Sequence, residues 1–222
     1  MHIMEGFLPP LWCAFWFLMC IPFWVWGAMR LRKLFRENPE LKLTVAISGA
    51  FMFVLSSLKL PSVAGSSSHP TGTGLAVVLS GPGITTILAT IVLVFQALLL
   101  AHGGITTLGA NVFSMGVAGP FVAYAVFKVM HKAGVNSNAT VFVTAFLADI
   151  VTYIVTALQL ALAYPGEEGF LSSMVAFLAI FAITQVPLAI VEGILVVLFF
   201  DFLSRRRPEL IHESLRAAEA EP

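Results

Sequence analysis

The chain has 222 residues, 59% of them hydrophobic and only 11% charged, with a mean hydropathy of +0.94. A soluble domain carries about 25% charged and about 45–50% apolar residues, so the composition argues against a cytosolic enzyme and against a nucleic-acid binder. Lys plus Arg and Asp plus Glu balance at 12 each, which leaves charge placement as the informative quantity. None lies between Lys59 and Lys128, the pattern of a polytopic membrane protein.

The chain opens MHIMEGFLPP, with no basic residue, and the apolar stretch that follows closes on Arg30, Arg32, Lys33 and Arg36. No small-residue cleavage site interrupts it, so it does not read as a removable signal peptide, and the mature chain is expected to begin at Met1. Cys13 and Cys20 fall about two helical turns apart in this first run, too far to bridge each other; they read as small membrane-buried hydrophobes. The first helix is predicted over 10–34 and the second over 41–60. A polar loop, 61–74, reads PSVAGSSSHPTGTG. A short apolar piece over 75–80 stops at Gly81-Pro82-Gly83, and long apolar helices follow over 84–101, 108–131, 138–164 and 170–203. Pro187 is expected to kink the last. Residues 1–204 form one transmembrane domain and 205–222 a charged cytoplasmic tail, read as a fraying helix end.

The positive-inside rule decides whether the short piece crosses. If it does, and the N-terminus lies outside, eleven of the twelve Lys and Arg fall inside and Lys59 alone outside. If it does not, five fall inside and seven outside. The fold class is therefore an all-α integral membrane protein of about seven transmembrane helices, N-terminus outside and C-terminus cytoplasmic. Ten helical residues cover only about 15 Å of a hydrocarbon core about 30 Å thick. The preceding loop must dip into the bundle from outside, which irregular backbone tolerates only when buried in protein or lining a cavity. That places the 66–71 segment, with His69, in the outer half of the bundle.

Of five histidines, His131 and His212 lie among charges and read as surface residues. His102, before Gly103-Gly104, reads as a helix C-terminal cap. His2 is set apart by position. The α-amine of residue 1, the amide nitrogen of residue 2 and the Nδ1 of a histidine there close five- and six-membered chelate rings on one metal. One further imidazole completes four nitrogens in a plane, a set that suits Ni(II) or Cu(II) and extends to low-spin Co(II). His69 enters from the same face, as that further ligand or as a loop histidine bonded to its serines. Asp149 and Glu192, at mid-membrane and inner depth, read either as a cation path or as interhelical hydrogen-bonding groups, with no basic residue at their depth; neither is expected in the metal's coordination shell. Glu5 is the carboxylate expected near the site. The methionines are scattered, which argues against a thioether path. No GxxxxGK[ST] occurs, so this chain is not expected to bind ATP.

The opening MHIMEGFLPP, the segment VLSSLKLPSVAGSSSHPTGTG, the stretch QALLLAHGGITTLGANVFSMGVAGPFVAY, and LQLALAYP and FAITQVPLAIVEG resemble the CbiM family, the substrate-binding subunits of energy-coupling-factor cobalt transporters. The resemblance covers nearly all of 1–203 and favours the cobalt branch over the nickel-specific relatives, which open differently after Met-His. It implies a seven-helix capture subunit and a metal site made of the Met1 amine, the His2 amide and imidazole, and the loop imidazole, here His69. It further implies Co(II) as transported substrate with Ni(II) competing, and three protein partners: a coupling subunit (CbiQ-like), an ATPase (CbiO-like) and a small membrane subunit (CbiN-like). The setting implied is the bacterial plasma (inner) membrane, and the purpose cobalt supply for cobalamin synthesis. The alternatives are a nickel-specific subunit of the same design, a stand-alone ion-coupled divalent-metal carrier using Asp149 and Glu192, and a membrane metalloenzyme. The last is disfavoured because four planar nitrogens leave no substrate position in their plane.

Overall fold

The computed structural model describes residues 1–62 and 65–219. A short strand, β1 (His2–Ile3), precedes helix α1 (Pro10–Glu37) and helix α2 (Leu41–Ser57). Strands β2 (Leu60–Pro61) and β3 (Ser66–Ser68) follow, then α3 (Thr73–Leu100). Helix α4 (Leu108–Val112), a π-helical turn (Phe113–Ala118) and α5 (Gly119–Lys132) run on as one 25-residue span. Helices α6 (Ser137–Ala163), α7 (Phe170–Arg206) and α8 (Pro208–Glu219) complete the chain. Five helices, α1, α3, the α4–α5 run, α6 and α7, are long and apolar enough to cross a membrane, and α2 is a shorter apolar helix. Their outward faces carry bare aliphatic side chains: Leu11 on α1 is 79% exposed and Ile183 on α7 is 76% exposed, which suits contact with lipid rather than water.

Helix α3 decides the topology. A straight helix of its length would hold its flanking residues about 42 Å apart. His69 before it and His102 after it instead have ring centroids 4.8 Å apart. The chain descends over 73–80, reverses, and climbs back over 82–100. The reversal sits on Gly81, whose backbone (φ 74°, ψ 172°) lies where only glycine is unstrained. The following Pro82 supplies a fixed φ for the first turn of the rising arm. The short piece and the helix after it are thus two arms of one hairpin, and Gly81-Pro82-Gly83 is its tip rather than a loop. At the other end, Lys59 donates to the carbonyls of Leu100 and Ala101 (3.2 and 3.3 Å), tying the end of α2 to the top of the rising arm.

Helix α7 runs from Phe170 to Arg206 as one 37-residue element with Pro187 inside it, and one further expectation changes. The tail is not a frayed continuation of it: α8 is a separate helix after Pro208, and its Ile211 is 5% exposed against Leu203 and Phe200. Residues 220–222 of the predicted tail lie outside the described residues. The core is layered along the bundle. Leu75, Val77, Val78 and Leu79 of the descending arm pack with Tyr124, Phe127, Phe200 and Leu203 at one end. Met1, Ile3, Leu8, Trp16, Leu160 and Phe181 pack together at the other.

Candidate metal centre

The site is built where three chain segments meet at the end of the bundle that holds Met1. β1 pairs antiparallel with β3, His2 opposite Ser67, and β3 pairs with β2. Three side chains spaced four apart, Thr107, Asn111 and Met115, form one face along α4 and the π-helical turn and hold β1 from its other edge. Asn111 accepts the Ile3 amide (2.8 Å) and donates to the Ile3 carbonyl (3.0 Å), mimicking a neighbouring strand. Thr107 Oγ1 donates to the same carbonyl at 2.9 Å. Past the strand, Met4 N donates to Gly65 O and Glu5 N to Gly103 O. Met1, His2 and Ile3 are consequently fully buried.

Three imidazoles converge there. His2, His69 and His102 each present a ring nitrogen within 4.8 Å of the others, all buried. The ring centroids lie 4.2, 4.5 and 4.8 Å apart. The outward nitrogen of each ring has a partner: His69 Nδ1 bonds the Pro70 carbonyl at 2.8 Å, His2 Nε2 meets Met115 Sδ at 3.3 Å, and His102 Nε2 bonds Ser67 Oγ at 2.9 Å. The other ring nitrogens, His2 Nδ1, His69 Nε2 and His102 Nδ1, have none among the described residues. A carbonyl oxygen can only accept, so the His69 proton sits on Nδ1 and a lone pair on Nε2; the thioether, a weak acceptor, sets His2 the same way with its lone pair on Nδ1. Burying a polar nitrogen without a partner costs about 1–3 kcal/mol. Three facing one another form a prepared set of donors, each oriented through its second nitrogen as metal-ligating histidines are. Burial first, then the neighbouring His69 and His102, holds the His2 imidazole well below the usual histidine range, so it offers a lone pair rather than a proton. Burial likewise lowers the Met1 amine from 8.0 to about 6.

The carboxylates are closer to this site than their depth in the sequence suggested. Asp149 and Glu192, both fully buried, act electrostatically on the Met1 amine, so the cation near them is the chain terminus rather than a Lys or Arg. Glu192 accepts from Thr71 N, from Thr71 Oγ1 (2.8 Å) and from Gly72 N (2.9 Å). Gln185 bridges Asp149 and the His69 carbonyl, the latter at 2.9 Å. The loop bearing His69 is therefore hung from α6 and α7 by two acids. Gly72 makes its turn at φ 70°, where a Cβ would lie 2.7 Å from Met52 Cα. Glu5, expected as the nearby acid, instead caps the Thr106 amide at the exposed rim. Hydrogen bonding to the Thr106 side chain first, and then to its amide, holds the Glu5 carboxyl below the usual range.

Of the sequence candidates, the fold brings His2 and His69 together beside the Met1 amine and leaves His131 and His212 exposed. His102 does close α3, its amide donating to Gln96 O at 3.2 Å, but its ring belongs to the cluster. The signal that could have found it is topological: if the short piece descends and the next helix rises, the residues before and after the pair meet. Asn111, Met115 and Gln185 carried no such signal.

A multi-helix membrane bundle enclosing a buried nitrogen cluster defines a metal-handling membrane protein. Residues 2–210 match the family described as CbiM, cobalt uptake substrate-specific transmembrane region. A cobalt transport protein CbiM of Carboxydothermus hydrogenoformans is 63% identical over 205 residues, 92% of this chain and 84% of that one. Two crystal structures of a transition metal transporter superpose with TM-scores of 0.81 and 0.82. They share 28% and 27% identity, cover 93% and 97% of this chain and 99% of their own, and the first is of a truncated form. The chain belongs to the CbiM family of cobalt transport proteins, the substrate-specific transmembrane component of cobalt uptake. It is a multi-pass membrane transport component and not an enzyme.

Proposed function

We propose that this chain captures Co(II) from outside the cell at a site made of the Met1 amine, the His2 amide and Nδ1, and His69 Nε2, and delivers it inward as the substrate subunit of an ATP-driven importer. The observation that carries this reading is the set of unpartnered, buried imidazole nitrogens facing one another beside a buried terminal amine. Such a set is costly without a metal and offers strong σ-donors with one. The chain crosses seven times, counting α2 and both arms of α3. Arg30, Arg36, Lys42, Lys128, Lys132, Arg205 and Arg206 fall at the helix ends remote from the site, so the positive-inside rule puts the site outside.

Energy comes from other chains: a CbiQ-like coupling subunit, a CbiO-like ATPase and a CbiN-like membrane subunit, with cobalamin synthesis as the consumer of the metal. The short arm of α3 leaves the site in the outer half of the bundle, above the apolar layer of Leu75–Leu79. Leu75, Val77, Val78 and Leu79 are apolar and buried, so delivery calls for movement of the whole subunit rather than a channel. Cobalt uptake in cells holding the subunits together, compared with cells lacking only the ATPase, tests the reading: uptake must vanish with the ATPase. Undiminished accumulation without it would establish a stand-alone carrier instead.

A further inference from the structure

The planar chelate of Met1, His2 and His69 leaves a chemical difficulty. Four nitrogens in a plane suit Ni(II) and Cu(II), and both outrank Co(II) in intrinsic affinity for nitrogen sites, so a preference for Co(II) has to come from geometry. His102 supplies the missing element. The residue is 2% exposed, its Nδ1 has no partner among the described residues, and one of its ring nitrogens lies within 4.8 Å of one from His2 and one from His69.

The three rings are nearly equidistant, with centroids 4.2, 4.5 and 4.8 Å apart. In a square plane any three donors include one trans pair, separated by about 1.4 times the distance of the adjacent pairs. Ring centroids that are nearly equidistant fit three mutually adjacent donors, with His102 off a plane shared by the other two. Ser67 Oγ lies 2.9 Å from His102 Nε2; with the Nε2 proton donated to that hydroxyl, the lone pair is on Nδ1. Ser67 is itself the strand partner of His2, so the ring is held in register with the chelate it completes.

We propose that His102 Nδ1 is a fifth, apical nitrogen ligand and the residue that determines selectivity for Co(II) over Ni(II). This rests on the metal site proposed above. A low-spin d⁸ Ni(II) ion in a plane of strong donors keeps two electrons in the orbital that points at the apical position, and these repel a fifth donor. Co(II), d⁷, has one electron fewer to place and accepts it. An obligatory apical imidazole therefore strengthens Co(II) binding and forces Ni(II) out of its preferred planar state.

The test is competitive titration of the purified full chain with Co(II) and with Ni(II), for wild type, His102→Ala and His69→Ala. His102→Ala should lose at least about tenfold in Co(II) affinity, while Ni(II) affinity stays within a factor of about three. His69→Ala should lose both metals. Equal loss of both metals in His102→Ala, or loss of neither, overturns the selectivity role. Binding of both metals by His69→Ala as by wild type would instead overturn the underlying site, so the two failures are distinct. The wild type carries its own check should His102→Ala not fold. Its Ni(II) complex should be paramagnetic, as a five-coordinate ion is, and its Co(II) X-ray absorption should report five nitrogen donors. A diamagnetic wild-type Ni(II) complex with four donors would rule out the apical ligand.

Discussion

The two ends of this bundle solve opposite problems. At the end carrying Leu75, Val78, Phe200 and Ile211, an apolar cluster fills the interior, with single buried hydroxyls such as those of Ser204 and Ser214 left unpartnered. At the other end the backbone of residues 2–5 is paired through Ser67, Asn111, Gly65 and Gly103, yet three imidazole nitrogens beside it are left without partners. The proposed binding site lies in the second region. The second spends polar pairing on fixing the donors and withholds it from the donor atoms themselves.

Substitutions should separate the ends cleanly. The largest effect on binding is expected from His69→Ala, which removes a donor outright: Co(II) affinity should drop by at least about a hundredfold while the protein stays folded in detergent. Equal calorimetric titrations of variant and wild type would remove His69 from the site. Next comes Glu192→Gln. It turns a triple acceptor into a group that presents an amide to the donors of Thr71 and Gly72, so the His69 loop should loosen and affinity fall by about tenfold. Unaltered binding would mean that the loop is fixed by β3 alone.

Asn111→Ala removes the side-chain acceptor of the Ile3 amide and leaves the Ile3 carbonyl with Thr107 Oγ1 alone of its two side-chain donors. It should cost about 1–3 kcal/mol of stability and weaken Co(II) binding severalfold, as paired melting and titration curves would show. The smallest effect on binding belongs to Phe200→Ala. Its cavity should cost about 3–5 kcal/mol of stability and leave Co(II) affinity unchanged; a parallel loss of affinity would show that the two ends are coupled.

The pH dependence sharpens the same contrast. A proton and a metal compete for the lone pair of the Met1 amine. Burial lowers that amine from 8.0 to about 6, so competition from it begins only below about pH 6. The slope of log affinity against pH should steepen by one there. A steepening near pH 8 would mean that the amine is not buried as described.

How much of this was legible in the sequence depends on how local the signal is. The short descending arm was legible because Lys and Arg sit on one side only if it crosses, and because Gly81-Pro82-Gly83 marks a break. The pairing of β1 with β3 was not: strands of two and three residues show no alternation to read. Everything dependent on that pairing was hidden with it, including the seat of His102 across from His2 and the presence of the Met1 amine near Asp149 and Glu192. A histidine preceding two glycines at a helix end looks like a cap from its neighbours alone. Its other role appears only when residues 2, 69 and 102 are brought to one point.

The central claim is that the terminal amine of Met1 is a metal ligand in a cavity with no room to spare. Placing one Gly before Met1 tests it most directly, with the processed N-terminus verified by mass spectrometry and Co(II) affinity measured by calorimetry. The extension converts the amine into an amide, a poor donor, and forces an extra residue into a segment that is fully buried. High-affinity binding should disappear, whereas the same residue added after Pro222 should change nothing. An intact, extended protein that binds Co(II) as tightly as the native chain would contradict the site.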